Sequence, residues 1–393
     1  NPYGSVTFCG GWHADNSCYN NAVRIIYLLL SPTYGMHQYT ADLANHQADQ
    51  GHDVHLVTTV RAPRPPYAPA VHIHTPVDTT TTGFARDGLR PAGPRRVLAA
   101  IDAITRTAPQ PTVVHITGVH LWNPLLLRGL RRRGLPTIHT LHDLDPHLGV
   151  RFSRLIRLWN RSVLAGADRI LVHGQVYRQR LLQAGLPAAR VVYTPLLHLF
   201  LSHAAFAATP LDKLQYDPYA LFFGRLLAYK GVNQLMQAAT LAAENGEPLA
   251  IVLAGPGEPP SYLPSGVELR NHLIDDHEGW DLFQRCAVVV LPYLDATQSA
   301  LIAAAYYFAK PVIVSNSGAL PEYVQPGHTG WVIPVGDVSA LAAALQQALA
   351  DPQRTSEMGL AGRAWYLAQR HEEQQTLAAL YRATGAGRRS AGL

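Results

Sequence analysis

The stretch Leu221-Phe222-Phe223-Gly224-Arg225-Leu226-Leu227-Ala228-Tyr229-Lys230-Gly231 joins an apolar run to a glycine and then to two cations five residues apart. Residues 219–223 have the length and aromatic content of a buried strand, and residues 232–243 have helical periodicity. Arg225 and Lys230 therefore fall on a connection at the carboxyl end of a strand, where open α/β sheets bind ligands. A guanidinium can fork two phosphate oxygens while an ammonium supplies a mobile point charge, which suits a diphosphate better than a carboxylate. The plain alternative is an Arg and a Lys on a surface loop.

Working outward, the same alternation fills the rest of the chain. Towards the C-terminus, strands are expected over 250–254, 267–270, 287–291, 311–315 and 331–334, with helices between them and closing helices over 338–350 and 371–383. Towards the N-terminus, residues 24–30 read as a strand, 38–50 as a helix ended by Gly51-His52-Asp53, and 54–59 as the next strand. Further strands are expected over 113–116, 137–140, 169–172 and 191–194. Residues 1–22, rich in Gly, Asn, Cys and aromatics, read as an extension, and residues 61–94, rich in Pro and Thr, as a long loop near the cleft. Pro195, Pro210 and Pro218 punctuate a patternless segment, so a linker is placed over 201–217. The expected fold is α/β, two tandem doubly wound Rossmann-like domains over 23–200 and 218–368 facing each other across a cleft, with a helix over 369–385 returning to the first.

The chain has 393 residues, enough for two domains of roughly 200 residues. No run of eighteen apolar residues occurs, and no basic region followed by an apolar core opens the sequence, so a cytoplasmic chain is expected. Cys9, Cys18 and Cys286 make an odd count with no metal spacing. The net charge of +5 is unevenly spread, since residues 1–200 hold 20 Arg, no Lys and 10 acidic residues, for +10, and the remainder carries −5. The first domain is thus expected to face something anionic. Nucleic acid is not favoured, because no helix-turn-helix, zinc finger or aromatic-basic strand pattern accompanies the charge.

With these segments placed, the chain resembles glycosyltransferases of the GT-B fold, close to the mostly retaining family 4. The resemblance is carried by the strand over 24–30 with Ser31-Pro32-Thr33-Tyr34-Gly35, by Gly51-His52-Asp53-Val54, by Ala167-Asp168 before Val172-His173, and by Phe222-Phe223-Gly224-Arg225 with Tyr229-Lys230-Gly231. Its most specific part runs from Lys310-Pro311-Val312-Ile313 through Gly318-Ala319-Leu320-Pro321-Glu322 to Gly327-His328-Thr329-Gly330. It spans about residues 24–385 and implies a sugar transferase that uses a nucleotide-diphosphate sugar, needs no metal or other cofactor, and retains anomeric configuration. Arg225 and Lys230 inherit the donor diphosphate, with His142 beside the transferred sugar as the third candidate catalytic residue. Gly35, Leu273, Asp295, Thr297, Gln298, Ser299 and the amides of Ala300 and Leu301 complete the expected donor site, the last two at a helix start. Asp143 either orients the His142 imidazole or caps the next helix; Glu322 is either a family site position or structural.

One departure stands out. The family's two glutamates, one for the sugar and one for the ribose, fall on Ala296 and Ala304, within Asp295-Ala296-Thr297-Gln298-Ser299-Ala300. Asp295, one residue away, could replace the first carboxylate. The departure equally permits a non-catalytic homologue acting as a scaffold, and a sugar-nucleotide epimerase is a third reading. For the acceptor, carbohydrate or lipid-linked, the signal is Arg151, Arg154, Arg157 and Arg161, which recur at three, three and four residues beside Phe152, Leu155, Ile156, Leu158 and Trp159. With Arg128 and Arg131 to Arg133, this suits peripheral contact with an anionic membrane at its inner face; the alternative is the solvated face of a core helix.

Overall fold

The computed structural model describes residues 22–63, 67–80, 86–87, 90, 92–144, 153–200 and 218–386, the side chains of 153–156 excepted. Residues 1–21 of the expected extension, Arg151, and the expected linker over 201–217 lie outside the described residues.

Two wholly parallel sheets form. The first holds β1 (Arg24–Leu29), β2 (Asp53–Thr59), β3 (His72–Val77), β4 (Thr112–Ile116), β5 (Thr137–Thr140), β6 (Arg169–Val172) and β7 (Val191–Tyr193), in the order β3-β2-β1-β4-β5-β6-β7. Around it lie α1 (Tyr34–Asp49), α2 (Ala92–Arg106), α3 (Asn123–Arg132), α4 (Ser153–Gly166) and α5 (Gln175–Gln183). The second holds β8 (Ala220–Phe223), β9 (Ile251–Ala254), β10 (Val267–Arg270), β11 (Val288–Leu291), β12 (Val312–Ser315) and β13 (Gly330–Ile333), in the order β10-β9-β8-β11-β12-β13. Its helices are α6 (Val232–Glu244), α7 (Asp276–Arg285), α8 (Ala300–Tyr307), α9 (Val338–Ala350) and α10 (Pro352–Ala386).

Helices on both faces explain why the central strands are unbroken apolar runs rather than alternating ones. All six residues of β1 are buried, as are all four of β9, β11 and β12. Arg24, on β1, is tolerated inside because its guanidinium bonds Asp53 at 2.7 Å and the Ala108 carbonyl at 3.1 Å. In both sheets the winding reverses beside the first strand, between β1 and β4 and between β8 and β11. These reversals open the crevices where such sheets take ligands.

One expectation is corrected: residues 61–94 are not a continuous loop. They contain β3, which pairs with β2 at the sheet edge, and the start of α2. β3 reads His-Ile-His-Thr-Pro-Val and is largely exposed, so it lacks the apolar signal of an inner strand. Pro76 is admitted because an edge strand has one side free of ladder bonds.

The helix α10 runs through 35 residues and touches both domains. Near its start Gly359 lies against Ala309 and Gly362 against the Tyr306 ring, leaving no room for a Cβ. Farther on, Arg370 pairs with Asp42 on α1 at 2.6 Å, and the Tyr381 hydroxyl meets Tyr27 of β1 at 2.9 Å and His115 of β4 at 2.8 Å. Among the described residues no helix is long and apolar enough to cross a membrane.

Candidate active site

The chain leaving β8 turns sharply at Gly224, whose φ of 110° favours glycine, and a Cβ there would stand 3.0 Å from the Lys230 ammonium. Lys230 closes a short 3₁₀ turn over 228–230 and lies over the Tyr293 ring, 5.1 Å from its centre. Gly231 follows with φ 73° and caps α6; a Cβ on it would fall 1.9 Å from the Pro292 carbonyl oxygen. The loops leaving β8 and β11 are therefore packed backbone to backbone, and the Leu294 amide donates to Tyr229 O at 2.7 Å. This places half-buried Lys230 at the reversal of the second sheet, with exposed Arg225 beside the same strand end.

The loop from β11 to α8 is held from below. The Ala296 amide donates to Ser317 Oγ at 3.0 Å, Ala319 N donates to Thr297 O at 3.0 Å, and Gly318, at φ 54°, admits the Ala296 carbonyl where a Cβ would clash. Ser299 caps α8, its Oγ accepting from Leu301 N at 3.4 Å. Asp143, Tyr229, Lys230, Tyr293, Ala296, Thr297, Gln298 and Ser299 enclose a pocket of about 140 Å³ between the domains. Of the expected donor residues, Lys230, Thr297, Gln298 and Ser299 meet there. Gly35, Arg225, Leu273 and Asp295 stand outside its wall. Leu273 is 83% exposed on the loop leaving β10, and Gly35 lies in the first turn of α1 with nothing within 4 Å of where a Cβ would be. A roomier hollow of about 600 Å³, lined by Gly327, His328, Arg354 and Glu357 among others, opens before β13, at the end of that strand away from the cleft.

Ala296 and Ala304 are 7% and 1% exposed, and neither presents a polar group. The side chains facing the pocket at this loop are hydroxyl and amide, and the carboxylate in its wall comes from the other domain, at Asp143.

On the first domain, His142 follows β5 and is buried. Its Nε2 donates to the Thr117 carbonyl at 2.9 Å, while the neighbouring Asp143 acts on the ring through its charge. Burial holds its pKa below the ordinary value and keeps the ring neutral. His142 belongs to a larger cluster: the Tyr39 ring is edge-on to His142, His173 and His198 at 5.1, 5.3 and 5.5 Å. His115 bonds Thr140 Oγ1 at 2.8 Å and His139 bonds Asn123 Nδ2 at 3.1 Å nearby.

Contacts across the cleft tie the domains, and sequence reading had no signal for them. Gln298 Nε2 donates to the His142 carbonyl at 2.9 Å. Glu322 accepts from the Gln175 and Val176 amides at 2.5 and 2.7 Å, capping α5, whose N-cap Gly174 has no side chain to do so. The Tyr323 hydroxyl donates to His173 O at 2.7 Å and accepts from Leu196 N at 2.8 Å. Arg157 and Arg161 of the basic stripe are exposed on α4, and Arg154 lies on the same helix. Among the described residues no three His, Cys, Asp or Glu side chains are grouped as a bound metal requires.

Known proteins share this architecture. A family model for a glycosyl transferase 4-like domain matches residues 34–196, and one for glycosyl transferases group 1 matches residues 217–351. The chain is 25% identical over 334 residues to alpha-maltose-1-phosphate synthase of Mycolicibacterium smegmatis, covering 73% of this chain and 85% of that one. A shorter stretch of 57 residues is 47% identical to the GDP-mannose-dependent alpha-(1-6)-phosphatidylinositol monomannoside mannosyltransferase of the same organism, covering 14% of this chain and 15% of the relative. Among solved structures, sucrose-phosphate synthase from Thermosynechococcus elongatus superposes with a TM-score of 0.71 at 20% identity, covering 93% of this chain and 99% of that one. Anabaena HepE in complex with UDP-glucose gives 0.64 at 16% identity, covering 91% and 99%. The two parallel-sheet domains are thus those of the GT-B fold, and the chain belongs to the glycosyltransferase group 1 family, with a glycosyl transferase 4-like first domain.

Proposed function

We propose that the enzyme transfers a sugar from a nucleoside-diphosphate sugar to a carbohydrate or lipid-linked acceptor, with retention and without a metal. The observation that carries this reading is the position of Lys230. It lies at the sheet reversal, in the wall of a cleft pocket with Thr297, Gln298 and Ser299, and Arg225 stands at the same strand end. As the bond between the sugar C1 and the diphosphate oxygen breaks, negative charge grows on the leaving group. Two cations and the start of α8 oppose that charge without reorganising. The Leu301 amide is held by Ser299 Oγ only at 3.4 Å, so a phosphate oxygen can take the place of that hydroxyl without moving the helix.

In this reading the acceptor oxygen bonds C1 on the face the diphosphate leaves, and its proton passes to the departing phosphate oxygen. No protein nucleophile is needed. His142, buried and neutral with its Nε2 on the Thr117 carbonyl, lies next to Asp143 of the pocket wall and fixes the sugar's side of the cleft rather than acting as an acid. Among the described residues of the wall the carboxylate is that of Asp143, and in this reading it meets sugar hydroxyls where Ala296 has no polar group.

A second reading, a binding partner without turnover, is favoured by Ala296 and Ala304 alone. Incubation with UDP, GDP and ADP sugars and a panel of acceptors separates the readings. Release of nucleoside diphosphate with a glycosylated product, unchanged by EDTA, is the expected result. Binding without turnover would establish the scaffold, and a new sugar nucleotide would establish epimerisation. Arg225→Ala with Lys230→Ala should abolish the thermal shift given by the donor; an unaltered shift would sink the diphosphate assignment.

A further inference from the structure

Two neighbouring helices of the first domain share an outward face unlike the rest of the surface. α3 and α4 lie side by side: Leu127 packs on Gly166, the Arg131 guanidinium donates to the Ala165 and Gly166 carbonyls at 2.8 and 2.9 Å, and Trp159 Nε1 donates to His120 O at 3.2 Å. Their inner sides are buried through Leu126, Leu130 and Val163.

The outer side carries leucines in water. Leu121, Leu125 and Leu158 are 53%, 60% and 60% exposed. On α3 and the turn before it, Leu121, Leu125, Arg128 and Arg132 follow one another at four, three and four residues, which is a single helical stripe. Arg157 and Arg161 bracket Leu158 on α4. These four arginines are exposed and make no hydrogen bond or ion pair with any described residue, whereas Arg131 caps α4 and Arg133 is paired with Asp102 at 2.7 Å. No acidic residue occurs over 103–142 or 146–167, so neither helix holds a carboxylate.

We propose that this two-helix face docks on an anionic lipid bilayer, its leucines in the headgroup boundary and its arginines on lipid phosphates. Charge alone would equally suit a nucleic acid. A phosphate backbone, however, offers three solvent-exposed leucines no apolar partner, and a bilayer gives both kinds of side chain one. The polarity of the face has a meaning. α3 and α4 begin where β4 and β5 end, at the cleft side of the sheet, and the leucines lie in the first half of each helix while Arg128 and Arg132 lie farther away. A membrane seated here borders the mouth of the cleft. Taken with the transferase reading, on which this last step rests, the acceptor is a lipid-borne hydroxyl presented at the membrane surface.

The docking is tested without turnover, by co-sedimentation of the full chain with vesicles. Expected is binding to vesicles of phosphatidylglycerol and phosphatidylcholine that falls at least tenfold on omitting the anionic lipid or on raising the salt from 50 to about 500 mM. Leu121→Ser, Leu125→Ser and Leu158→Ser together should weaken it at least tenfold at constant charge. Arg128→Gln, Arg132→Gln, Arg157→Gln and Arg161→Gln together should abolish it at about 150 mM salt. All seven side chains face solvent, so an unchanged melting temperature checks that the variants fold. Failure of the unmodified protein to bind anionic vesicles would overturn the proposal, as would a leucine variant that binds as tightly as the parent. In the latter case adsorption is purely electrostatic and a nucleic acid becomes the better partner.

Discussion

Lowering the pH should unfold the first domain before its carboxylates titrate. Burial pushes the His115 and His139 imidazoles down to about 3, and those of His37, His120 and His198 to about 4, from an ordinary value of 6.5. A depressed histidine contributes stability that is complete above the unfolded value of 6.5 and is lost as pH falls below it, because the unfolded chain takes up the proton the folded one refuses. At pH 5.5 each such group costs about 1.4 kcal/mol, so the five together reach a ceiling of about 7 kcal/mol, comparable with the whole stability of an ordinary domain. Guanidinium unfolding measured between pH 5 and 8 gives the proton uptake directly, from the slope of the unfolding free energy against pH. These five histidines account for an uptake of between four and five protons near pH 5.5 and almost none above pH 7.5, as follows from titration at 6.5; His142 and His173, lowered by the same burial, add to it, and Glu373, raised by burial to about 7, subtracts about one. An uptake below about one proton at pH 5.5 would mean that the cluster is hydrated or open in solution.

Three further outcomes are expected. Gly231→Ala adds a Cβ 1.9 Å from the Pro292 carbonyl at a left-handed φ; it should destabilise the second domain by about 2 to 5 kcal/mol and weaken donor binding, and an unchanged melting temperature would contradict the packing of the two loops. Glu322→Ala removes both caps of α5, a loss of about 1 to 2 kcal/mol carried by the domain interface. It should increase the radius of gyration in small-angle scattering and raise the donor KM, and identical scattering curves would count against the contact in solution. Lys230→Ala should lower kcat about a hundredfold with little change in melting temperature, since among the described residues its ammonium makes a cation–π contact with the Tyr293 ring and no ion pair; a loss confined to KM would show that it binds ground state and transition state equally.

Most of the fold was legible because strands such as Val288–Leu291 and Val312–Ser315 are buried on both faces and read as apolar runs bounded by turns. β3 was not, since an edge strand that is exposed and holds Pro76 carries no such run. The helix α10 was seen only in its second half. It keeps one buried stripe through Thr355, Met358, Gly362, Tyr366, Glu373, Leu377, Tyr381 and Thr384, but fills it with small, polar and ring side chains, so hydrophobic periodicity does not trace it. At the site, Lys230 could be found from a cation placed just after a strand and a glycine. The Gln298 bond to His142 and the Glu322 cap on α5 could not, because each joins groups more than 140 residues apart whose meeting depends on how the domains dock.

The span of α10 bears on how the protein is made. The first sheet is complete once residue 193 has been synthesised, yet β1 and β4 still lack the hydroxyl of Tyr381, which fills the space between Tyr27 and His115. Until Tyr381 leaves the ribosome, those two polar groups have neither this partner nor this cover. The N-terminal domain therefore waits, incompletely closed, for α10, and a nascent or truncated product ending before that helix is expected to be less stable and more open to proteases than the same domain in the full chain.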